Sequence, residues 1–369
     1  MSKLQELIQR FCPDGVEYKK IHDVAEVGTG CCNGNEADVG GVYPFFVRSQ
    51  NVKAKNDFQY DEEAIIIPGE GGIGDIFHYV NGKYALHQRV YRIHFIDKTI
   101  NAKFIYYYMK SNFKSFILKK AVSATVTSIR KPMIEKFEIP IPPLDVQNEI
   151  VRILDTFTSH AAELQAELQA RKEQYEYYRN KLLTFDKDDK NVKWMNLGEV
   201  YDIKAGKSIP ASEISSKRTG EKRFPCYGGN GLRGYVSLFN QEGEKVLIGR
   251  QGALCGNVNF AEDQFYATEH AIVVSDRGYC LPRYTFYLLI IMNLNQYKTA
   301  GAQPGLSVSR LEKILLPIPS ISEQQRIVSV IDKFETLVND LTEGLPAEIA
   351  AVQEQYEYYR NKLLTFKQK

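Results

Sequence analysis

The sequence predicts an α/β (α+β) protein made by tandem duplication: two globular segments of mixed strands and helices, separated by a pair of long antiparallel coiled-coil helices about a pseudo-twofold axis. Three observations predict this. Thirteen residues, Glu-Gln-Tyr-Glu-Tyr-Tyr-Arg-Asn-Lys-Leu-Leu-Thr-Phe, occur at 173–185 and again at 354–366. A long run of helix-period apolar residues leads into each copy. Ahead of each run lies a segment of short strand-like stretches, and these two segments differ in sequence. A period of about 180 residues is too long for a solenoid, so a whole unit has been duplicated.

The duplication extends well upstream of the thirteen residues. Ile139-Pro140-Ile141-Pro142-Pro143-Leu144, then Gln147, then Ile150-Val151-Arg152-Ile153-Leu154-Asp155 match Leu316-Pro317-Ile318-Pro319-Ser320-Ile321, Gln324 and Ile327-Val328-Ser329-Val330-Ile331-Asp332. Further back, Val16, Tyr18, Ile21, Val24 and Gly30 line up with Val192, Trp194, Leu197, Val200 and Gly206. The expected division is 1–144 for the first globular domain, 145–186 for the first long helix, 187–321 for the second domain and 322–369 for the second long helix. At 369 residues and 44% hydrophobic content, two cores are affordable.

In the first globular segment, Ala64-Ile65-Ile66-Ile67 is a buried-strand candidate followed by a glycine-rich turn, and 104–119 is an aromatic-rich helix. Asn81-Gly82 predicts a turn. The second segment repeats the plan with Lys245-Val246-Leu247-Ile248 and a helix over 284–297.

From Ile150 the apolar positions step by four and three through Leu154, Phe157, Ala161, Leu164 and Leu168, then past Arg171 to Tyr175, Tyr178, Leu182 and Phe185. This is a coiled-coil seam. Pro142 and Pro143 end what precedes it, and Asp145 can cap its start. At about 1.5 Å per residue the helix is roughly 60 Å long. The second seam runs through Ile327, Ile331, Phe334, Val338, Leu341, Leu345, Ile349, Val352, Tyr356, Tyr359, Leu363 and Phe366. One step of three has become four, a stutter at Gly344-Leu345-Pro346, where a kink or short break is expected. Ser322 with Gln325 predicts a capping box. The segment between the helices has an expected diameter of about 36 Å, too short to return the chain ~60 Å for a parallel pairing. The helices are therefore expected to run antiparallel.

Composition narrows the function classes. The net charge of +2 neither demands nor excludes nucleic acid. No run of 18 apolar residues predicts a membrane span. The first ten residues have mixed charge and no apolar core of a signal peptide, and six cysteines without C-x-x-C spacing suggest reduced thiols, so a cytoplasmic protein is expected.

Catalytic signatures are missing. Gly69-Glu70-Gly71-Gly72-Ile73-Gly74 matches G-x-G-x-x-G after a strand, but the turn predicted at Asn81-Gly82 leaves no room for the helix a dinucleotide site needs. No Asn-Pro-Pro or Asp-Pro-Pro with a following aromatic occurs. Pro13-Asp14 and Glu17-Tyr18-Lys19 stand too close together for a nuclease metal site. The histidines do not cluster with cysteines. A non-catalytic chain without metal or cofactor is expected.

What remains is side-chain chemistry suited to bases and phosphates, at matched places in both halves. Arg48, Ser49, Gln50 and Asn51 match Gly228-Gly229-Asn230 with Arg233. Gln88 and Arg89 match Glu269-His270. Arg250 and Gln251 stand in the second glycine-rich turn. Thr127, Ser128, Arg130 and Lys131 match Pro304, Ser307, Ser309 and Arg310. Arg, Asn and Gln make bidentate contacts with guanine and adenine edges; Ser, Thr and Lys suit phosphates. Three classes stay open on the residues alone: a DNA reader, a coiled-coil structural adaptor, and a self-contained nucleic-acid enzyme.

The combination of the Ile-Pro-Ile-Pro-Pro and Leu-Pro-Ile-Pro segments with their helices, Gly344-Leu345-Pro346-Ala347-Glu348-Ile349, and the doubled thirteen residues resembles the specificity (S) subunits of type I restriction-modification systems, over essentially the full length. The resemblance implies two target-recognition domains, each reading one half of a bipartite, asymmetric double-stranded DNA site. It implies that the long helices are central and distal spacers that set the gap and dock two methyltransferase (M) subunits, and it leaves a restriction (R) subunit open. Tyr175, Tyr178, Arg179, Tyr356, Tyr359 and Arg360, in the repeated helix ends, become the expected partner contacts. Adenine methylation from S-adenosylmethionine and ATP-driven cleavage would belong to those partners.

Overall fold

A computed structural model describes residues 3–120, 128–252, 254–299 and 305–369. The chain divides into two compact units, one formed by residues 1–164 with 349–369 and the other by residues 165–348.

The first unit is built on a six-stranded sheet in the order Ala25–Thr29, Val90–Phe95, Tyr60–Pro68, His78–Leu86, Tyr43–Phe46, Lys53–Lys55. Tyr43–Phe46 runs parallel to His78–Leu86; the other neighbours are antiparallel. Ala64, Ile65, Ile66 and Ile67 are all fully buried because both faces of this strand are covered. Ile65 and Ile67 pack with Phe104, Ile105 and Met109 of the helix Ala102–Lys120, while Ala64 and Ile66 pack with Phe46, Tyr84 and Leu86.

In the second unit the equivalents of Tyr60–Pro68 and His78–Leu86 are each in two pieces, which gives eight strands in two four-stranded sheets. One is ordered Tyr201–Ala205, Ala271–Asp276, Lys245–Gly249, Val258–Ala261, and the other Gly231–Val236, Phe224–Gly228, Gln264–Ala267, Gln241–Glu242. The difference corrects one expectation. Asn81-Gly82 is no turn: both residues sit inside His78–Leu86, paired with Glu63 and Glu62, and Gly82 takes φ +119° without leaving the ladder. In the second unit the matching strand does break, between Ala261 and Gln264, where Asp263 adopts φ +57°. The predicted helix over 284–297 is likewise split, into Pro282–Ile291 and a short 3-10 turn Leu294–Tyr297, with Asn293 left-handed between them at φ +45°.

The proline-rich segments form short antiparallel ladders, Glu138–Ile141 with Glu17–Lys20 and Leu315–Ile318 with Lys193–Asn196. Each ladder has only two strands, so every strand has an open edge where proline needs no partner. Just beyond, a buried glutamine clamps the start of each long helix. Gln147 Oε1 accepts from the Asn101 N–H at 2.8 Å and its Nε2 donates to the Thr99 and Pro142 carbonyls at 2.9 and 2.7 Å. Gln324 does the same with the Leu281 N–H at 2.8 Å and the Tyr279 and Pro319 carbonyls at 3.0 Å each.

The first long helix is continuous over Leu144–Leu183, 40 residues. The second is two helices, Ile321–Asn339 and Leu345–Leu363. Between them Asp340 accepts from the Thr342 and Glu343 amides, and Gly344 lies so close to the Thr336, Asp340 and Leu337 carbonyls that a Cβ would meet them at 2.5 to 2.9 Å. Pro346 then falls in the first turn of the next helix, where its missing N–H costs nothing. The capping expectations need correction. Ser320, not Ser322, caps Ile321–Asn339, its Oγ accepting from the Glu323 N–H. Asp145 lies inside the first turn, since Leu144 already begins the helix.

Within each unit the paired helices run in opposite directions. In the first, Leu363, Leu364 and Phe366 pack into the core that holds Ile150 and Leu154, and Phe157 reaches back to Tyr359. In the second, Leu182, Leu183 and Phe185 pack with Ile327 and Ile331, and Phe334 reaches back to Tyr178.

Candidate nucleic-acid interface

The sheet of the first unit brings three turns together. They follow Tyr43–Phe46, follow Tyr60–Pro68, and connect His78–Leu86 to Val90–Phe95. Gly69 joins them through its backbone: its N–H donates to the Arg89 carbonyl at 2.9 Å and its carbonyl accepts from the Ile129 N–H at 2.7 Å. In the second unit the Arg250 N–H donates to the His270 carbonyl at 2.8 Å and its carbonyl accepts from the Leu306 N–H at 2.8 Å. The two bonds are equivalent in place and partner. They tie the Gln88-Arg89 turn to the Ser128-to-Lys131 segment, and the Glu269-His270 turn to the Ser307-to-Arg310 segment.

In the first unit a groove of about 330 Å³ is lined by Gly34, Val47, Arg48, Ser49, Lys53, Glu70, Gly71 and His87. Glu70 is its centre. Arg48 Nη1 and Arg89 Nη1 both donate to Glu70 Oε2, at 3.0 and 2.9 Å. Those bonds, Arg89 foremost, hold the Glu70 carboxyl below the usual carboxylate range. Gln88 is exposed and donates from Nε2 to Asn33 Oδ1 at 2.7 Å. Ser49 Oγ donates to the Asn51 carbonyl at 2.9 Å, closing a small turn around exposed Gln50. His87 is buried; its Nδ1 accepts from the Arg89 N–H at 3.0 Å, which puts the ring proton on Nε2. Burial pulls its pKa down.

The remaining residues of this set lie differently. Ser128 is half-buried and Arg130 exposed, beside Gly69 through Ile129. Lys131 is drawn to Glu135 one turn on, at 3.6 Å. Thr127 and Pro304 lie outside the described residues.

In the second unit Gly228, Gly229, Asn230, Gly231, Leu232, Arg233, Gln251 and His270 line a groove of about 360 Å³. Asn230 Oδ1 accepts from Asn257 Nδ2 at 3.4 Å, and His270 Nε2 lies 3.3 Å from Glu269 Oε1. Arg233 is exposed. Ser307 spends its hydroxyl as an N-cap, accepting from the Arg310 N–H at 3.3 Å, with Ser309 Oγ 3.3 Å away; Ser309 and Arg310 are exposed.

Sequence reasoning missed Glu70, Lys53, His87 and Asn33. Glu70 was hidden in a glycine-rich turn whose glycines drew the reading, and indeed Gly71, Gly72 and Gly74 take positive φ of 77°, 83° and 70°.

The repeated helix ends adopt one geometry twice. Arg179 lies over the Tyr175 ring at 5.2 Å and Arg360 over Tyr356 at 5.6 Å. Tyr178 and Tyr359 stack on Phe334 and Phe157, so both are committed to the helix pairs. Of the tyrosines in the repeat, Tyr177 and Tyr358 are the most exposed, at 58% and 61%. Among the described residues no group of three His, Cys, Asp or Glu side chains could hold a metal ion, and no helix is long and apolar enough to cross a membrane.

A family model described as "Type I restriction modification DNA specificity domain" matches residues 13–174 and again 189–351. The chain is similar to the type I restriction enzyme EcoprrI specificity subunit of Escherichia coli, 45% identical over an alignment of 252 positions that covers 65% of this chain and 63% of that protein. It is also similar to S.HindORF215P of Haemophilus influenzae, 31% identical over an alignment of 387 positions that covers 95% of this chain and 96% of the relative. In fold it resembles the crystal structure of a type I restriction-modification S subunit from M. genitalium, with TM-score 0.64, 18% identity, and 95% and 97% of the two chains covered.

Proposed function

The chain belongs to the type I restriction modification DNA specificity family, and on that premise we propose that it is the DNA sequence-recognition subunit of a type I restriction-modification complex, each unit reading one half of a bipartite site. The observation that carries this is the matched stitching of the turns by Gly69 and Arg250. One backbone frame is kept, and the side chains it presents are exchanged. Arg48, Arg89 and Arg233 suit guanine, and Gln88, Asn230 and Gln251 suit adenine. Ser49, Lys53, Arg130 and Arg310 suit phosphates. Because the two sets differ, the half-sites differ and the target is asymmetric.

The long helices act as spacers between target-recognition domains at 1–144 and 187–321. Their repeated ends, with Tyr177 and Tyr358 outermost, dock two methyltransferase subunits. The chain itself is non-catalytic; adenine methylation and any cleavage by a restriction subunit are done by partners, in the cytoplasm.

The test is retention of duplex DNA by the full chain with and without its methyltransferase partner, over a salt series. Sequence-selective retention that weakens with salt supports the reading. Assembly with the methyltransferase but no selectivity among DNA sequences would make the chain a structural adaptor instead, and methyl transfer by the purified chain alone would make it an enzyme.

A further inference from the structure

Glu70 carries a charge that its turn does not require. Its counterpart by backbone bonding is Gln251, which follows Arg250 as Glu70 follows Gly69. Each is followed by a glycine with positive φ, Gly71 at 77° and Gly252 at 92°. A neutral amide therefore suffices to build the turn. The charge answers to the groove instead, first to Arg48 and Arg89 and then to what the groove meets.

Its setting narrows what that is. The side chain is 37% exposed and lines the groove beside Arg48 and Ser49. Both arginine bonds fall on Oε2, and Oε1 is bonded to neither. A bare carboxylate would repel the phosphate backbone, but two guanidiniums at 2.9 and 3.0 Å more than balance its charge. An ionised carboxylate only accepts hydrogen bonds. Among base edges in the major groove, the N4 amino group of cytosine is the donor a carboxylate selects, and the guanine opposite offers O6 and N7 to arginine.

We propose that Glu70 is a specificity-determining residue, with Oε1 accepting from a cytosine N4 amino group while Arg48 or Arg89 bonds guanine at the same or the neighbouring base pair. The inference deepens the DNA-reading role proposed above and rests on it. Gln251, which can donate and accept, selects adenine at the corresponding place in the other half-site.

The experiment uses the full chain assembled with its methyltransferase subunits and a pool of random-sequence duplexes, selecting and sequencing what is retained. The wild-type complex is expected to enrich a gapped motif with a C·G pair in one half-site. Glu70→Gln should relax that pair toward A·T, lowering its discrimination roughly 5- to 150-fold, and leave the other half-site unchanged. The reciprocal Gln251→Glu should bring cytosine preference into that other half-site. An unchanged motif in both variants would overturn the role of Glu70 while leaving the two-site reading intact. A wild-type complex that enriches no motif would overturn the reading beneath it as well.

Discussion

The ring of Phe157 stacks on that of Tyr359, centroids 5.5 Å apart and planes 25° from parallel. Tyr178 stacks on Phe334 at 5.6 Å and 22°. Phe157 and Phe334 hold the same place in the repeat, as do Tyr178 and Tyr359. Each unit's helix pair is therefore made from the early part of one repeat copy and the end of the other. Neither copy is complete within a single unit.

Removing one ring should loosen one pair. Tyr359→Ala is expected to cost about 1–2 kcal/mol, read as faster amide exchange in Leu345–Leu363 and the first half of Leu144–Leu183. Tyr178→Ala should act on the second unit in the same way. Exchange unchanged in both would mean the stacks add nothing to pairing.

The buried glutamine clamps are a stronger test of how each helix is rooted. Gln147→Leu keeps the volume but leaves the Asn101 N–H and the Thr99 and Pro142 carbonyls without their partner. A loss of about 2–4 kcal/mol is expected in the first unit, measured by denaturant dependence of exchange in Ala102–Lys120. Gln324→Leu should spare those amides.

These clamps show what could be read from sequence. Gln147 and Gln324 were visible as matched letters, and the helices as apolar periods, because both signals are local. Gly30 and Gly206 were matched letters too, but not their reason: a Cβ there would meet the Leu86 and Ala267 carbonyls at 1.8 and 2.2 Å, an approach made only by the folded sheet. Glu70 was not legible, since its meaning comes from Arg48 and Arg89, 22 and 19 residues away and delivered by strand pairing. Asn81-Gly82 misled because a glycine that usually ends a strand was held inside one by its partner Glu62.

Base readout should be confined to one half. Arg89→Ala and Gln88→Ala are each expected to lower discrimination by about 1–3 kcal/mol at positions of a single half-site, seen in the motif methylated by the assembled complex. If both variants methylate the wild-type motif, neither side chain reads a base.

The first unit should also be sensitive to mild acid. His87 is held neutral by burial, next to Arg48 and Arg89, which also disfavour its charge, while Glu70 and Glu36 oppose them weakly. Its folded pKa is lowered, so as pH falls below about 6.5 the unfolded chain takes up the proton first and stability is lost. The unfolding midpoint should be lower at pH 5.5 than at 7.5. His87→Thr, which installs the second unit's Thr268 at that place, should narrow the gap. An equal gap in the variant would move the effect to another group.

The central claim is that one chain reads two different half-sites at a fixed separation. The most direct measurement is a genome-wide map of methylated adenines in cells expressing this chain with its methyltransferase partner. The account predicts one gapped, non-palindromic motif, absent without this chain. A palindromic motif, an ungapped one, or the same methylation in cells lacking this chain would contradict it.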